Sequence, residues 1–132
     1  MPDDVVFVLD QSSFNELVHS RSGDVYKHIA EKAEKLRVLA IRQVGKKTGA
    51  LASSIKVSMV PTPNGPMALV GSDNKIALIH HNGTRPHAIA ARPGRQLRFA
   101  HRGRIVYAQK VMHPGTRPNR YLEDNLRRVV VD

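Results

Sequence analysis

Residues 24–44 read DVYKHIAEKAEKLRVLAIRQV, and this stretch decides the architecture. It holds neither Pro nor Gly, and Val25, Ile29, Ala33, Leu36 and Ala40 recur at steps of three and four residues, the period of one helical face. Asp24 has the chemistry of an N-cap and Gly45 follows the end. The spacing therefore predicts a helix of about 20 residues, roughly 30 Å long at about 1.5 Å per residue. Glu31 stands four residues before Lys35 and supports the exposed side.

Working outward, Thr48-Gly49-Ala50-Leu51-Ala52-Ser53-Ser54 reads as a capped turn of helix leading into residues 55–60, where Ile55, Val57 and Met59 alternate with Lys56 and Ser58 as in a strand. Pro61-Thr62-Pro63-Asn64-Gly65-Pro66 is a turn, and residues 67–70 return, so the two strands make an antiparallel hairpin. Residues 76–81 fit a short helix or a strand. Residues 95–99 and 104–111 make a second hairpin about Ala100-His101-Arg102-Gly103. After it, Tyr121, Leu122, Leu126, Val129 and Val130 fall on a helical stripe, with a β-branched end that would also suit an extended strand. Upstream of the long helix, residues 5–9 read as a strand. Ser13 and Glu16 have capping-box spacing for a short helix through Val18, which residues 20–23 break. The pattern is α+β: one long helix on a mostly antiparallel sheet of hairpins, with a C-terminal helix.

At 132 residues the chain fits one domain, residues 1–132, with residues 1–22 as a candidate N-terminal arm. Aromatic residues are 5% and Trp is absent, so the core rests on aliphatic side chains and is thin without partners. With no Cys, disulfide frameworks, thiolate zinc sites and cysteine nucleophiles are excluded together. The acidic start, Met1-Pro2-Asp3-Asp4, is unlike a signal peptide, and no apolar run approaches a membrane span, so a soluble protein without membrane partners is expected.

Charge is the strongest compositional signal: 21 Lys and Arg against 11 Asp and Glu give a net +10. Asp3, Asp4, Asp10, Glu16 and Asp24 crowd the front of the chain. Between Arg85 and Arg120 there is no acid, while Arg85, Arg92, Arg95, Arg98, Arg102, Arg104, Lys110, Arg117 and Arg120 are basic. A field of one sign implies a polyanionic neighbour or an acidic patch on a partner. Two phrases within it echo each other: His81-Asn82-Gly83-Thr84-Arg85-Pro86 is answered by His113-Pro114-Gly115-Thr116-Arg117-Pro118. Gly83 and Gly115 permit unusual φ angles, and Thr84 and Thr116 can bond the local backbone. Pro86 and Pro118 push the preceding arginine toward an extended conformation, a way of presenting a guanidinium from a stiff loop to phosphate or an acidic partner; the same chemistry also serves two ordinary turns.

Catalytic patterns are missing. Ser53 and Ser54 lie in no nucleophile elbow, and Gly45-Lys46-Lys47-Thr48-Gly49 lacks the upstream glycine of a phosphate-binding loop. The carboxylates stand apart from the arginine-rich region. His80, His81, His87, His101 and His113 suggest a metal, but no Cys, Asp or Glu accompanies them and the arginines repel a cation. No enzyme activity, metal or cofactor is expected.

The Thr48–Ile55 phrase after a long helix, Ile76-Ala77 leading into Gly83-Thr84, and Gly115-Thr116-Arg117-Pro118 ahead of Tyr121-Leu122 together resemble the neck or tail-completion (head-tail connector) family of long-tailed phages. The resemblance runs from about Asp24 to Val130. It departs at Ile76 and Ile79, which stand where many members have aromatics, and at His81, which replaces a glutamate. The arginine-rich hairpin resembles a branch from actinobacterial phages. The resemblance implies a virion protein made in the host cytoplasm and closing into a ring of six copies in the neck. There it would lie between a head-side connector or stopper and a tail terminator or tail-tube protein, around packaged DNA. The loops and hairpin from Arg85 to Arg104, with Arg117 and Arg120, are then expected to face the channel or an acidic neighbouring ring. Two alternatives remain: a tail terminator capping the tube, and a free basic nucleic-acid-binding protein. Against the second, no recognition-helix or finger pattern is present and the arginines are not interleaved with stacking aromatics.

Overall fold

The computed structural model describes residues 8–45 and 49–131. Along the chain these form α1 (Gln11–His19), α2 (Asp24–Gln43), α3 (Ala50–Ser54), β1 (Ile55–Thr62), β2 (Gly65–Ser72), α4 (Ala77–Asn82), β3 (His87–Ala90), β4 (Leu97–His101), β5 (Arg104–Ala108), β6 (Lys110–His113) and α5 (Glu123–Val131). The fold is α+β, with the long helix, the antiparallel hairpins and the C-terminal helix all present. The strands do not merge into one sheet: β1 pairs with β2, β3 with β6 and β4 with β5, each as a two-stranded antiparallel ribbon. The elements group into two compact units. One joins the described residues up to Asn74 with those from Tyr121 onward; the other is Lys75–Arg120.

In the first unit α2 lies along β1–β2 and against α5. Its predicted stripe is the side that packs: Ala33, Leu36 and Ala40 are buried, and Val25 and Ile29 are half-buried. Val44, Leu51, Ala52, Ile55, Tyr121 and Val129 complete a mostly aliphatic core, with Tyr121 only 1% exposed. The buried polar side chain Asn125 is satisfied, since its Nδ2 donates to Gln43 Oε1 at 2.8 Å and to the Tyr121 carbonyl at 2.7 Å. Lys32 Nζ donates to the Val129 carbonyl at 3.1 Å, placing a cation where the last turn of α5 has free carbonyls.

Several boundaries differ from the sequence reading. Asp24 opens α2 within its first turn, and Gly23 is the N-cap. A Cβ on Gly23 would press into the carbonyl oxygens of Leu17 and Glu16, so the cap position has no room for a side chain. Helix α1 is capped by Asp10 instead of Ser13: the Asp10 carboxylate accepts from the backbone N–H of Ser12 at 3.1 Å and of Ser13 at 3.4 Å. The Ser13 hydroxyl donates to the same carboxylate at 2.6 Å, which fastens the cap and draws the Asp10 pKa below its ordinary value. The predicted strand at residues 5–9 lies largely outside the described residues; Val8 and Leu9 belong to no strand and are exposed. Thr48 also lies outside them. The first hairpin is longer than predicted, because Pro61 pairs with Pro66 and Thr62 with Gly65, leaving only Pro63 and Asn64 as the loop. The segment expected at residues 76–81 is helical, α4 running Ala77–Asn82, and the β-branched end of α5 is helical.

Candidate polyanion interface

In the second unit the two echoing loops meet each other. Thr84 N–H donates to the Thr116 carbonyl at 3.0 Å and Thr116 N–H returns to the Thr84 carbonyl at 3.1 Å, an isolated antiparallel bridge. The Thr84 hydroxyl oxygen accepts from the same Thr116 N–H at 3.0 Å, so it bonds across the pair and not to its own loop. The packing is reciprocal. A Cβ on Gly83 would collide with the Thr116 carbonyl, and one on Gly115 with the Thr84 carbonyl. Both glycines have φ in the left-handed region, +71° and +89°. Pro86 and Pro118 close the two sides, so the sequence echo at a spacing of 32 residues is the trace of a clasp. Sequence reading identified the six loop residues and missed that they pair.

The clasp continues into β3 and β6, where His87 faces His113 with ring centroids 5.0 Å apart. Asn119 N–H donates to the His80 carbonyl at 3.1 Å, and its side chain meets His80 Nε2 at 3.2 Å, tying α4 to the loop beyond the second echo. Among the described residues no three histidine or carboxylate groups come together as metal ligands would. The strand predicted at residues 104–111 changes partner at Gln109. Up to Ala108 it pairs with β4; from Lys110 it pairs with β3, and the Gln109 carbonyl accepts from Ala91 N–H at 2.7 Å at the switch. Strand β3 was missed because its four residues, His87–Ala90, give too short a pattern to read.

The arginines sit on this scaffold as follows. Arg85 and Arg117 precede the clasp prolines. Arg92 and Arg95 flank Pro93-Gly94, with Arg95 N–H donating to the Arg92 carbonyl at 3.0 Å and Gly94 at φ +75°, a turn that proline and glycine both favour. Arg102 (φ +47°) and Gly103 (φ +77°) form the tip of the β4–β5 hairpin, and a two-residue loop with both φ angles positive matches the twist of the ribbon. Arg98 lies mid-strand on β4 and Arg104 begins β5. All eight predicted arginines, Arg120 included, are exposed.

Charge divides sharply between the units. All 11 carboxylates of the chain fall outside residues 75–120, together with 11 of the 21 Lys and Arg, so that part is formally neutral and Lys75–Arg120 carries the whole +10. No ion pair is available inside this unit. Glu34–Arg37, Lys56–Asp73 and Glu123–Arg127 are ion pairs within the first unit. In addition, none of residues 75–120 is buried. Ile76 at the N-cap of α4, Leu78 (70% exposed) and Ile79 within it, and Met112 on β6 remain open to solvent.

Comparison with protein families, curated proteins and solved structures found no match.

The first unit also keeps apolar surface uncovered. A groove of about 290 Å³ is lined by Ile29, Leu36, Val70, Leu126 and Val130, where α2, β2 and α5 converge. Among the described residues no helix is long and apolar enough to cross a membrane.

Proposed function

We propose that this chain is a structural protein of a long-tailed phage virion, forming a ring in the neck between the head-side connector and the terminator or tube of the tail. The observation that carries the reading is the unit Lys75–Arg120: every net charge of the chain is there, none of its residues is buried, and no carboxylate lies within it. A segment with so little core gains stability from what it binds, and a field of one sign selects a polyanion or an acidic neighbour. The resemblance of the Gly83-Thr84 and Gly115-Thr116-Arg117-Pro118 elements to the neck family supplies the setting. Exposed Leu126, Val130, Ile76 and Leu78 provide apolar area for neighbouring subunits to cover. Six copies would make the ring, with DNA in its channel.

The test is native mass and class-averaged images of purified protein and of virions. Closed rings, and the polypeptide in particles at ring stoichiometry, are the expected result; a monomer absent from virions would sink the proposal. A tail terminator would also form rings, and is separated by its place in the particle, on the tail side of the joint. The charge division also suits a free nucleic-acid-binding protein, which predicts tight duplex binding by a monomer with no virion association.

A further inference from the structure

We infer that the β4–β5 hairpin is a two-stranded arm that enters the major groove of duplex DNA and holds it by the phosphates. The inference narrows the polyanion reading above by naming the anion and the element that meets it. In an antiparallel ribbon, residues that pair share a face and successive residues alternate faces. Arg98, paired with Tyr107, therefore stands on one face; Arg104, paired with His101, stands on the other; Arg102 occupies the tip. Tyr107 is 60% exposed beside Arg98. The arm bears arginines on both faces and at its end: Arg98 stands nearer the base on one face, and Arg104 beside the tip on the other, whose Leu97, Phe99 and Val106 are half-buried. A flat acidic patch on a protein could satisfy only one of those faces, whereas a groove walled by two phosphate backbones meets both.

Dimensions agree. Paired strands lie about 4.8 Å apart and a strand of this length runs roughly 17 Å, while the major groove is about 12 Å wide and about 8.5 Å deep. The outer half of the ribbon fills that depth; the minor groove, about 6 Å wide, is too narrow for it. A second copy of the chain is a poor occupant, because its Lys75–Arg120 unit carries the same charge and only the part outside that unit is formally neutral. Near its base the arm is flanked by Arg95, Gln96 and Gln109 around an open basin beside Tyr107, which adds donors where the phosphate backbone would pass.

The experiment uses the full chain and a duplex of about 20 base pairs, with fluorescence anisotropy from about 50 to 200 mM salt. The double variant R98Q/R102Q should weaken binding and flatten the log–log salt slope by about two, near one for each lost phosphate contact. R127Q/R128Q removes the same charge from α5 in the other unit and should leave the slope unchanged; R98K/R102K should largely retain it. Dimethyl sulfate on the wild-type complex needs no variant, and guanine N7 should be protected where the arm occupies the major groove. Equal loss of slope in both glutamine variants overturns the arm, as does unprotected N7 in a saturated complex. Displacement of DNA by polyglutamate at equal charge concentration would assign the surface to an acidic protein instead. A virion ring that binds no duplex overturns the arm and spares the neck reading; duplex binding through the arm by a protein absent from virions does the reverse.

Discussion

Gly83 and Gly115 occupy positions where no other residue fits, since each has a left-handed backbone and faces a carbonyl oxygen of the opposite loop. Gly83→Ala or Gly115→Ala should each cost at least about 2 kcal/mol, combining the left-handed penalty with a backbone collision. Because the contacts are reciprocal, the two variants should behave alike: fast hydrogen exchange at both Thr84 and Thr116 amides is the expected readout, and protection retained at either would contradict the clasp. Two titrating groups act at opposite ends of the pH scale. Asp10 is held below its ordinary pKa, first by the Ser13 hydroxyl and then by the Ser13 and Ser12 amides, so its folded form releases the proton more readily than the unfolded chain. Its support of α1 is therefore complete above the ordinary carboxylate range and fades as pH falls through the lowered value. Burial pushes the Tyr121 phenol above its ordinary value near 10, and the sign reverses. What Tyr121 contributes is whole below that value and is lost as pH climbs through the raised one. Circular dichroism across both limbs should show α1 fraying at the acid end and loss of the core at the alkaline end. Asp10→Ala should remove the part of the acid limb that belongs to α1 and leave the alkaline limb unchanged, while Glu34, held low by its hydrogen bond from Arg37, keeps its own acid response in α2.

The β4–β5 hairpin puts an arginine where glycine or asparagine would be more comfortable. Arg102→Gly relieves a left-handed residue and should stabilise the ribbon by about 1 kcal/mol, measured by amide exchange along β4 and β5, while weakening duplex binding. Opposite signs in stability and binding would separate the turn from the contact it presents. Elements differed in how far they could be read from the chain. The long helix was legible because 20 residues repeat one period without a breaker, and the first hairpin because an alternating run, a Pro- and Asn-Gly-bearing turn and an apolar return follow one another. The caps were misplaced for a local reason: Asp10 and Gly23 won their positions through contacts with Ser13 and with the end of α1. The separate ribbons and the partner change at Gln109 depend on pairings between residues far apart in the chain, which strand periodicity does not encode. For the candidate site, the eight arginines and six loop residues were legible from composition and from the echo. The pairing of the loops was not, because a repeated phrase does not say whether its copies stand apart or face to face.

For the molecule as a whole, the division of charge governs behaviour in solution. With ten net positive charges confined to Lys75–Arg120 and no carboxylate among them, this unit repels itself. Added salt should slow amide exchange there before any ligand is present, since screening acts over about 10 Å at 0.1 M. The first unit, formally neutral, should respond far less, and equal responses would remove the argument from charge division. Duplex DNA should protect the second unit more strongly than salt does.

The first unit is assembled from both sides of an inserted stretch, with Tyr121, Asn125 and Val129 closing a core begun by α2. During translation its early helices and strands leave the ribosome well before α5 has been made. The nascent polypeptide thus carries an open apolar seam, followed by a long cationic passage, until the final helix emerges. A message cut short ahead of Tyr121 yields a product whose seam never shuts, and such a product is ready prey for cellular proteases.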